Sequence, residues 1–98
     1  MSGWYELSKT SSGQFRFVLK AANAETILVS EQYTTLAAAK GGIASVQVNS
    51  PLDERYEKKV AKDGKPYFNL KAANHQIIGT SELYSSEAAR DKGIASVK

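Results

Sequence analysis

Apolar and polar residues alternate most clearly in the segment QFRFVLKA at Gln14–Ala21. The apolar set falls on one side of an extended chain: Phe15, Phe17, Leu19 and Ala21. The other side carries Arg16, Val18 and Lys20. A period of two is typical of a β-strand with one buried and one solvated face. The segment therefore predicts a strand that places its aromatic residues in a core.

The same alternation returns in PYFNLKA, which begins at Pro66. Its apolar side consists of Pro66, Phe68, Leu70 and Ala72, and its opposite side of Tyr67, Asn69 and Lys71. Because proline has no backbone N–H to donate, Pro66 is expected at the start of the strand or at an unpaired edge.

Further strands are predicted at WYELSK (Trp4–Lys9), TILVS (Thr26–Ser30) and IIGTS (Ile77–Ser81), which are rich in β-branched or aromatic residues. Two helices follow, within Tyr33–Asn49 and Tyr84–Lys98. Their expected N-caps are Thr34 and Ser85, since a hydroxyl can accept from a free backbone N–H in the first turn. Gly42 and Gly93 lie inside these helices, so either the helix backbone lies close to the sheet or the helix breaks locally.

The segment LKAAN occurs at Leu19–Asn23 and again 51 residues later at Leu70–Asn74, and the segment GIASV recurs at the same offset. Together with matches such as Tyr33 with Tyr84, this repetition indicates an internal duplication. A half of this length struggles to bury a core alone. We therefore predict a single compact domain over 1–98, made of repeat one (1–50) and repeat two (51–98). The predicted fold is α+β: two tandem β-β-β-α repeats form one antiparallel sheet with two helices packed on one face, in a pseudo-twofold arrangement.

Composition narrows the class of protein. The chain has 98 residues, a formal net charge of +3 and no cysteine. Disulfides are excluded, and structural zinc is disfavoured because its usual thiolate ligands are missing. The sequence contains no long apolar run and no apolar signal-peptide core. We expect a cytoplasmic monomer, an internal pseudo-dimer, that does not enter a membrane.

The two copies, GQFRFVLKAAN…ILVSEQY…GIASV and GKPYFNLKAANHQIIGTSELY…GIASVK, resemble the YegP-like family of small bacterial proteins. The resemblance covers nearly the whole chain and implies two β(3)-α units in one sheet, with exchange of C-terminal segments between the units. Family members usually have Gly after the Asn of LKAAN, whereas this chain has Ala24 and His75. At these positions either the turn is wider or the residues are strained. The family is uncharacterised, so the resemblance implies no catalytic or cofactor-binding residues.

The sequence offers little for catalysis. His75 is the only histidine, and a Ser-His-Asp site would need His75, Ser81 and Asp91 to converge without any nucleophile-elbow motif. Glycine motifs with phosphate-binding spacing are absent. Glu31 and Glu82 are duplicated carboxylates, expected near the helix N-termini. We therefore predict no catalytic residue, no metal, no cofactor and no enzyme activity.

The sheet face opposite the helices is the candidate binding surface. It is predicted to carry Arg16, Lys20, Tyr67, Asn69 and Lys71, with Trp4, Arg55 and Lys59 nearby. Cations and aromatic residues could hold single-stranded nucleic acid. The same face could bind a protein partner, or it could be an ordinary solvated face. Our leading interpretation is a non-enzymatic protein-interaction module, with weak single-stranded nucleic-acid binding as the alternative.

Overall fold

The computed structural model describes residues 3–98. They form six strands and two long helices, in the order strand-strand-strand-helix twice over. The elements are β1 (Trp4–Lys9), β2 (Phe15–Lys20), β3 (Thr26–Ser30), α1 (Leu36–Asn49), β4 (Tyr56–Val60), β5 (Pro66–Lys71), β6 (Ile77–Ser81) and α2 (Glu87–Val97). A single turn of 3-10 helix at Asp53–Arg55 leads into β4. Pro66 is the first residue of its strand, as its missing N–H requires.

All six strands belong to one antiparallel sheet with the order β1-β2-β3-β6-β5-β4. The two third strands meet in the middle, where Val29 faces Thr80. These two residues are 51 apart in the sequence, so the duplication offset maps the central ladder onto itself. The predicted α+β fold with a single antiparallel sheet and two helices is confirmed.

Both helices pack on the side of the sheet that carries Phe17 and Phe68. α1 contacts β2, β5 and β6, and α2 contacts β3 and β5, so each helix touches strands from both halves of the chain. The fully buried core between helices and sheet contains Phe17, Leu19, Leu28, Val46, Phe68, Leu70 and Val97. Each helix covers strands from both repeats, so burial of this shared core stabilises the contact between the two repeats.

The helix boundaries correct one prediction. The N-caps are Thr35 and Ser86, whose hydroxyls accept from the backbone N–H of Ala38 and Ala89 at 3.0 and 3.1 Å. Thr34 and Ser85, the predicted caps, lie one residue earlier. The hydroxyl three residues before a free N–H is the one that reaches it, and adjacent hydroxyl residues make the choice ambiguous from sequence.

Gly42 and Gly93 lie within unbroken helices, which rules out the local helix break. A Cβ on Gly42 would collide with the Tyr33 hydroxyl and lie 2.9 Å from the Phe17 ring. A Cβ on Gly93 would collide in the same way with the hydroxyl of Tyr84. The glycines thus make room for a tyrosine ring stacked on the core phenylalanine, rather than for the sheet backbone.

The four hairpin loops share one geometry, in which a turn is followed by a residue of positive φ. That residue is glycine at Gly13 and Gly64, with φ of 83° and 85°. It is Ala24 and His75 in the other two loops, with φ of 70° and 69°. The loops after LKAAN are therefore as tight as the others, and the left-handed strain at Ala24 and His75 is the alternative that the structure bears out.

Candidate binding face of the sheet

The sheet face opposite the helices is crossed by one continuous row of six side chains, one from each strand. Successive pairings along the ladder give the order Glu6, Val18, Val29, Thr80, Asn69 and Glu57. A carboxylate stands at each end of the row, and each residue of repeat one has its duplication equivalent at the mirror position in repeat two. Of these equivalents only Val29 and Thr80 are direct neighbours. The two halves of the row nevertheless differ in chemistry, because valines occupy one half and hydrogen-bonding residues the other.

In the half of the face from repeat two, polar side chains form hydrogen bonds and ion pairs with one another. Thr80 Oγ1 donates to Asn69 Oδ1 at 2.8 Å, and Asn69 Nδ2 donates to Glu57 Oε1 at 3.4 Å. Lys71 Nζ lies 3.0 Å from Glu57 Oε2, and Lys59 Nζ lies 3.8 Å from Glu57 Oε1. The hydrogen bonds from Lys71 and Asn69 hold the pKa of Glu57 below its usual value of 4.5. This half offers little free hydrogen-bonding capacity to a ligand.

The half from repeat one has no such network. Val18 and Val29 stand where the other half has Asn69 and Thr80. On either side of Val18 along β2, Arg16 and Lys20 project to the same face, and no carboxylate within residues 3–98 pairs with either cation.

Trp4, which pairs with Lys20, is 41% exposed and donates its indole N–H to Glu6 Oε2 at 2.9 Å. We call this surface the first-repeat face. It consists of Trp4, Arg16, Val18, Lys20 and Val29.

All five residues singled out from the sequence lie on this side of the sheet, but not with equal availability. Arg16 is exposed and Lys20 partly exposed, and both belong to the first-repeat face. Tyr67 is half-buried opposite Lys59. Asn69 is only 5% exposed, and Lys71 is committed to Glu57. The repeat-two members of the predicted set are thus mostly used inside the protein.

The contacts correct one further expectation and add one residue to the face. Arg55 is not part of the face: its Nε donates to Asn49 Oδ1 at 2.9 Å, at the end of α1. Glu57, which organises the repeat-two half, was missed by sequence reasoning. The alternation along Tyr56–Val60 was the signal that could have placed it on this face.

The structure does not bring a catalytic triad together. His75 is exposed at a turn, and Asp91 on α2 is bonded to the Arg90 guanidinium. Ser81 Oγ is buried, where it accepts from the N–H of Phe68 at 3.0 Å and donates to the carbonyl of Glu82 at 2.8 Å. This hydroxyl completes backbone hydrogen bonding and is not available as a nucleophile.

No group of three metal-binding side chains comes together between Gly3 and Lys98. Over the same residues, neither helix has the length and apolar character needed to cross a membrane.

The fold and the face define a small α+β domain with one open sheet surface and no assembled catalytic centre among the residues described. The chain belongs to the YegP-like UPF0339 family. The family model described as "Domain of unknown function (DUF1508)" matches twice, at residues 11–57 and 61–98. The first match runs past the predicted repeat boundary at residue 50 into the start of β4, and the second lies within residues 51–98.

Relatives and solved structures agree along nearly the full chain. A UPF0339 protein of Shewanella oneidensis is 70% identical over 97 residues, covering 99% of this chain and 88% of the relative. The UPF0339 protein YegP of Escherichia coli K12 is 66% identical over 98 residues, covering all of this chain and 89% of the relative.

Two solution NMR structures match with a TM-score of 0.93. One is a UPF0339 protein from Shewanella oneidensis, at 70% identity over 99% of this chain and 82% of that one. The other is YegP from Escherichia coli, described as a protein of unknown function, at 66% identity over 99% of this chain and 84% of that one.

Proposed function

We propose that the protein is a small, non-enzymatic, cytoplasmic binding module that holds an acidic segment of a protein partner on its first-repeat face. The observation that carries this proposal is the contrast between the two halves of the open sheet. Val18 and Val29 form an apolar centre flanked by Arg16 and Lys20, which have no ion-pair partner within residues 3–98. The equivalents of Val18, Val29 and Lys20 in repeat two, Asn69, Thr80 and Lys71, are bonded into the Glu57 network.

The chemistry of the first-repeat face is that of a protein-binding surface. Tryptophan and arginine are enriched among the residues that contribute most binding energy at interfaces. The valines supply apolar area at the centre, and the long side chains of Arg16 and Lys20 form a polar rim. Because neither cation is neutralised within residues 3–98, an acidic partner gains charge complementarity without first breaking an ion pair.

Single-stranded nucleic acid fits this surface less well. A stacking platform needs aromatic side chains that successive bases can reach. The aromatic side chains on this face are Trp4 on β1 and Tyr67 on β5, four strands apart, which corresponds to about 19 Å. Lys59, which pairs with Tyr67, and Lys71 both lie next to Glu57.

The proposal is tested by site-specific photo-crosslinking in native cells. A photo-reactive phenylalanine derivative is placed at position 18, on the first-repeat face, and for comparison at position 48, an exposed valine of α1 on the other side of the molecule. Position 18 should give a discrete protein adduct that survives nuclease treatment and is lost when Arg16→Glu and Lys20→Glu are added. Position 48 should not give that adduct.

Two results would overturn the proposal. One is an adduct from position 18 that disappears with nuclease. The other is micromolar binding of labelled oligo-dT or mixed-sequence RNA at about 50 mM salt that weakens as salt rises, which is the signature of phosphate contacts.

A further inference from the structure

A polar notch lies at the end of the first hairpin, where the first-repeat face meets the β1–β2 loop. Its volume is about 360 Å³, and it is lined by Ser8, Lys9, Thr10, Ser11, Arg16 and Gln32. Two of these side chains are cations, three carry hydroxyls and one is an amide. No carboxylate lines the notch, so its charge is positive.

The donors of the notch are largely free for a ligand. Thr10 Oγ1 is used within the loop: it lies 2.9 Å from Ser12 Oγ and accepts from the Gln14 N–H at 3.2 Å. The hydroxyls of Ser8 and Ser11 are not needed for that turn. Arg16 and Lys9 have no ion-pair partner within residues 3–98, and the Lys9 ammonium lies 5.9 Å from the centre of the Phe15 ring.

Two of these groups are held in place by the strand pairing. Ser8 and Arg16 face each other across β1 and β2, and both project to the open face. Lys9 pairs with Phe15 at the next position, so it approaches the notch from the other side of the sheet. The hairpin therefore places an arginine and a lysine on either side of one opening.

The duplication supplies a natural comparison. The equivalent positions of repeat two are occupied by Lys59, Val60, Ala61, Lys62, Tyr67 and Leu83. Arginine, both serines, threonine and the amide have all been replaced there, and Lys59 is drawn toward Glu57. The set of donors is thus specific to repeat one and does not follow from the fold.

We infer that this notch binds a phosphate monoester group. A phosphate monoester carries a charge of about −1.5 to −2 at neutral pH and presents three acceptor oxygens. The planar fork of Arg16 can donate two parallel hydrogen bonds to two of those oxygens, and Lys9 supplies a point charge. The serine hydroxyls and Gln32 can then donate to the third. A carboxylate has only two oxygens and a single charge, and a phosphodiester has a single charge and two free oxygens, so both use fewer of these donors.

The proposed function indicates which molecule would carry the phosphate group. The notch is continuous with the first-repeat face through Arg16, so a protein segment lying on that face can place a phosphorylated side chain in the notch. The carrier rests on the proposed function, whereas the binding of the phosphate group does not.

The inference is tested on the uniformly ¹⁵N-labelled full chain by NMR titration with O-phospho-L-serine and with dimethyl phosphate at low salt. We expect the monoester to bind with a Kd on the order of 1 mM and to shift the amide signals of Ser8–Ser11 and Gln32 and the side-chain signal of Arg16. The diester should bind about tenfold more weakly, because it loses a charge-assisted hydrogen bond.

Matched variants locate the site. Arg16→Gln and Lys9→Gln should each weaken phosphoserine binding about tenfold. Lys59→Gln and Lys62→Gln, at the repeat-two positions equivalent to Ser8 and Ser11, should leave the Kd unchanged. All four positions are exposed, so the variants should fold, which their spectra will show. An equal loss of phosphoserine affinity in both pairs of variants would overturn the inference. Chemical-shift changes spread over every surface that carries lysines would overturn it too.

A separate experiment tests whether a protein partner carries the phosphate group. If the crosslinked partner is found, phosphatase treatment of the lysate before irradiation should prevent formation of the position-18 adduct in the chain that keeps Arg16 and Lys20. An adduct that is unchanged by phosphatase would contradict the phosphorylated partner and leave the proposed function standing. Phosphoserine binding in the notch without any partner adduct would do the reverse.

Discussion

At the scale of single residues, the hairpin loops separate the effect of backbone conformation from that of packing. The four loops place Gly13, Ala24, Gly64 and His75 in the left-handed region, which costs a residue with a Cβ about 1–2 kcal/mol relative to glycine. Open space surrounds the position where a Cβ on Gly13 or Gly64 would lie. A substitution at these sites therefore tests the backbone alone.

We expect Ala24→Gly and His75→Gly each to raise the free energy of unfolding by about 0.5–1 kcal/mol, since relief of strain exceeds the added entropy of the unfolded chain. Gly13→Ala and Gly64→Ala are the matched reverse changes and should lower it by a similar amount. Urea denaturation measures all four. A loss of stability in His75→Gly would mean that the imidazole makes a contact that outweighs the strain.

At the scale of elements, strand pairing between distant segments decides which side chains of the open face are available. Alternation along each strand was enough to predict that Arg16, Lys20 and Lys71 share a face. It could not show that β6 brings Thr80 beside Asn69, or that β4 brings Glu57 beside Lys71, since pairing joins segments that local patterns treat separately. For this reason the sequence predicted the face, while only the structure divides it into an internally bonded half and a free half.

The Glu57 network makes a prediction about acid stability. Its hydrogen bonds to Lys71 and Asn69 lower the pKa of Glu57 in the folded protein. The ionised carboxylate therefore stabilises the fold above pH 4.5, and this contribution disappears as pH falls through the lowered pKa.

Glu57→Gln should reduce the urea midpoint at pH 7, and its difference from the wild type should shrink steadily below pH 4.5. Glu6→Gln is the matched change at the other end of the row, where the contact is the Trp4 indole, and it should lower the midpoint less at pH 7. A difference between Glu57→Gln and the wild type that is as large in acid as at pH 7 would contradict the role of this carboxylate.

At the scale of the whole molecule, the helices connect the two halves. α1 packs on β5 and β6 as well as on β2, so residues 1–50 without their partner would expose the surface of α1 that those strands cover. A short chain with half a core has little stability to lose. The fragment 1–50 should be unfolded or should form a dimer, as measured by circular dichroism and light scattering. Mixing it with 51–98 should restore a folded one-to-one complex, whereas a folded monomeric fragment would show that the halves are independent.

In the middle of the sheet, the two copies differ in the size of one side chain. Leu28 is fully buried there, and its equivalent in the second copy is Gly79, where a Cβ would come within 2.8 Å of the Leu28 side chain. Two identical subunits meeting around an axis must use the same residue twice, so a large side chain beside the axis meets itself. A single chain that contains both copies is free of that rule. Here Leu28 packs against Gly79, where a second leucine would collide with it, so two copies of repeat one could pair in this way only if their Leu28 side chains shifted. The same freedom would allow one copy to evolve a binding surface while the other became its support.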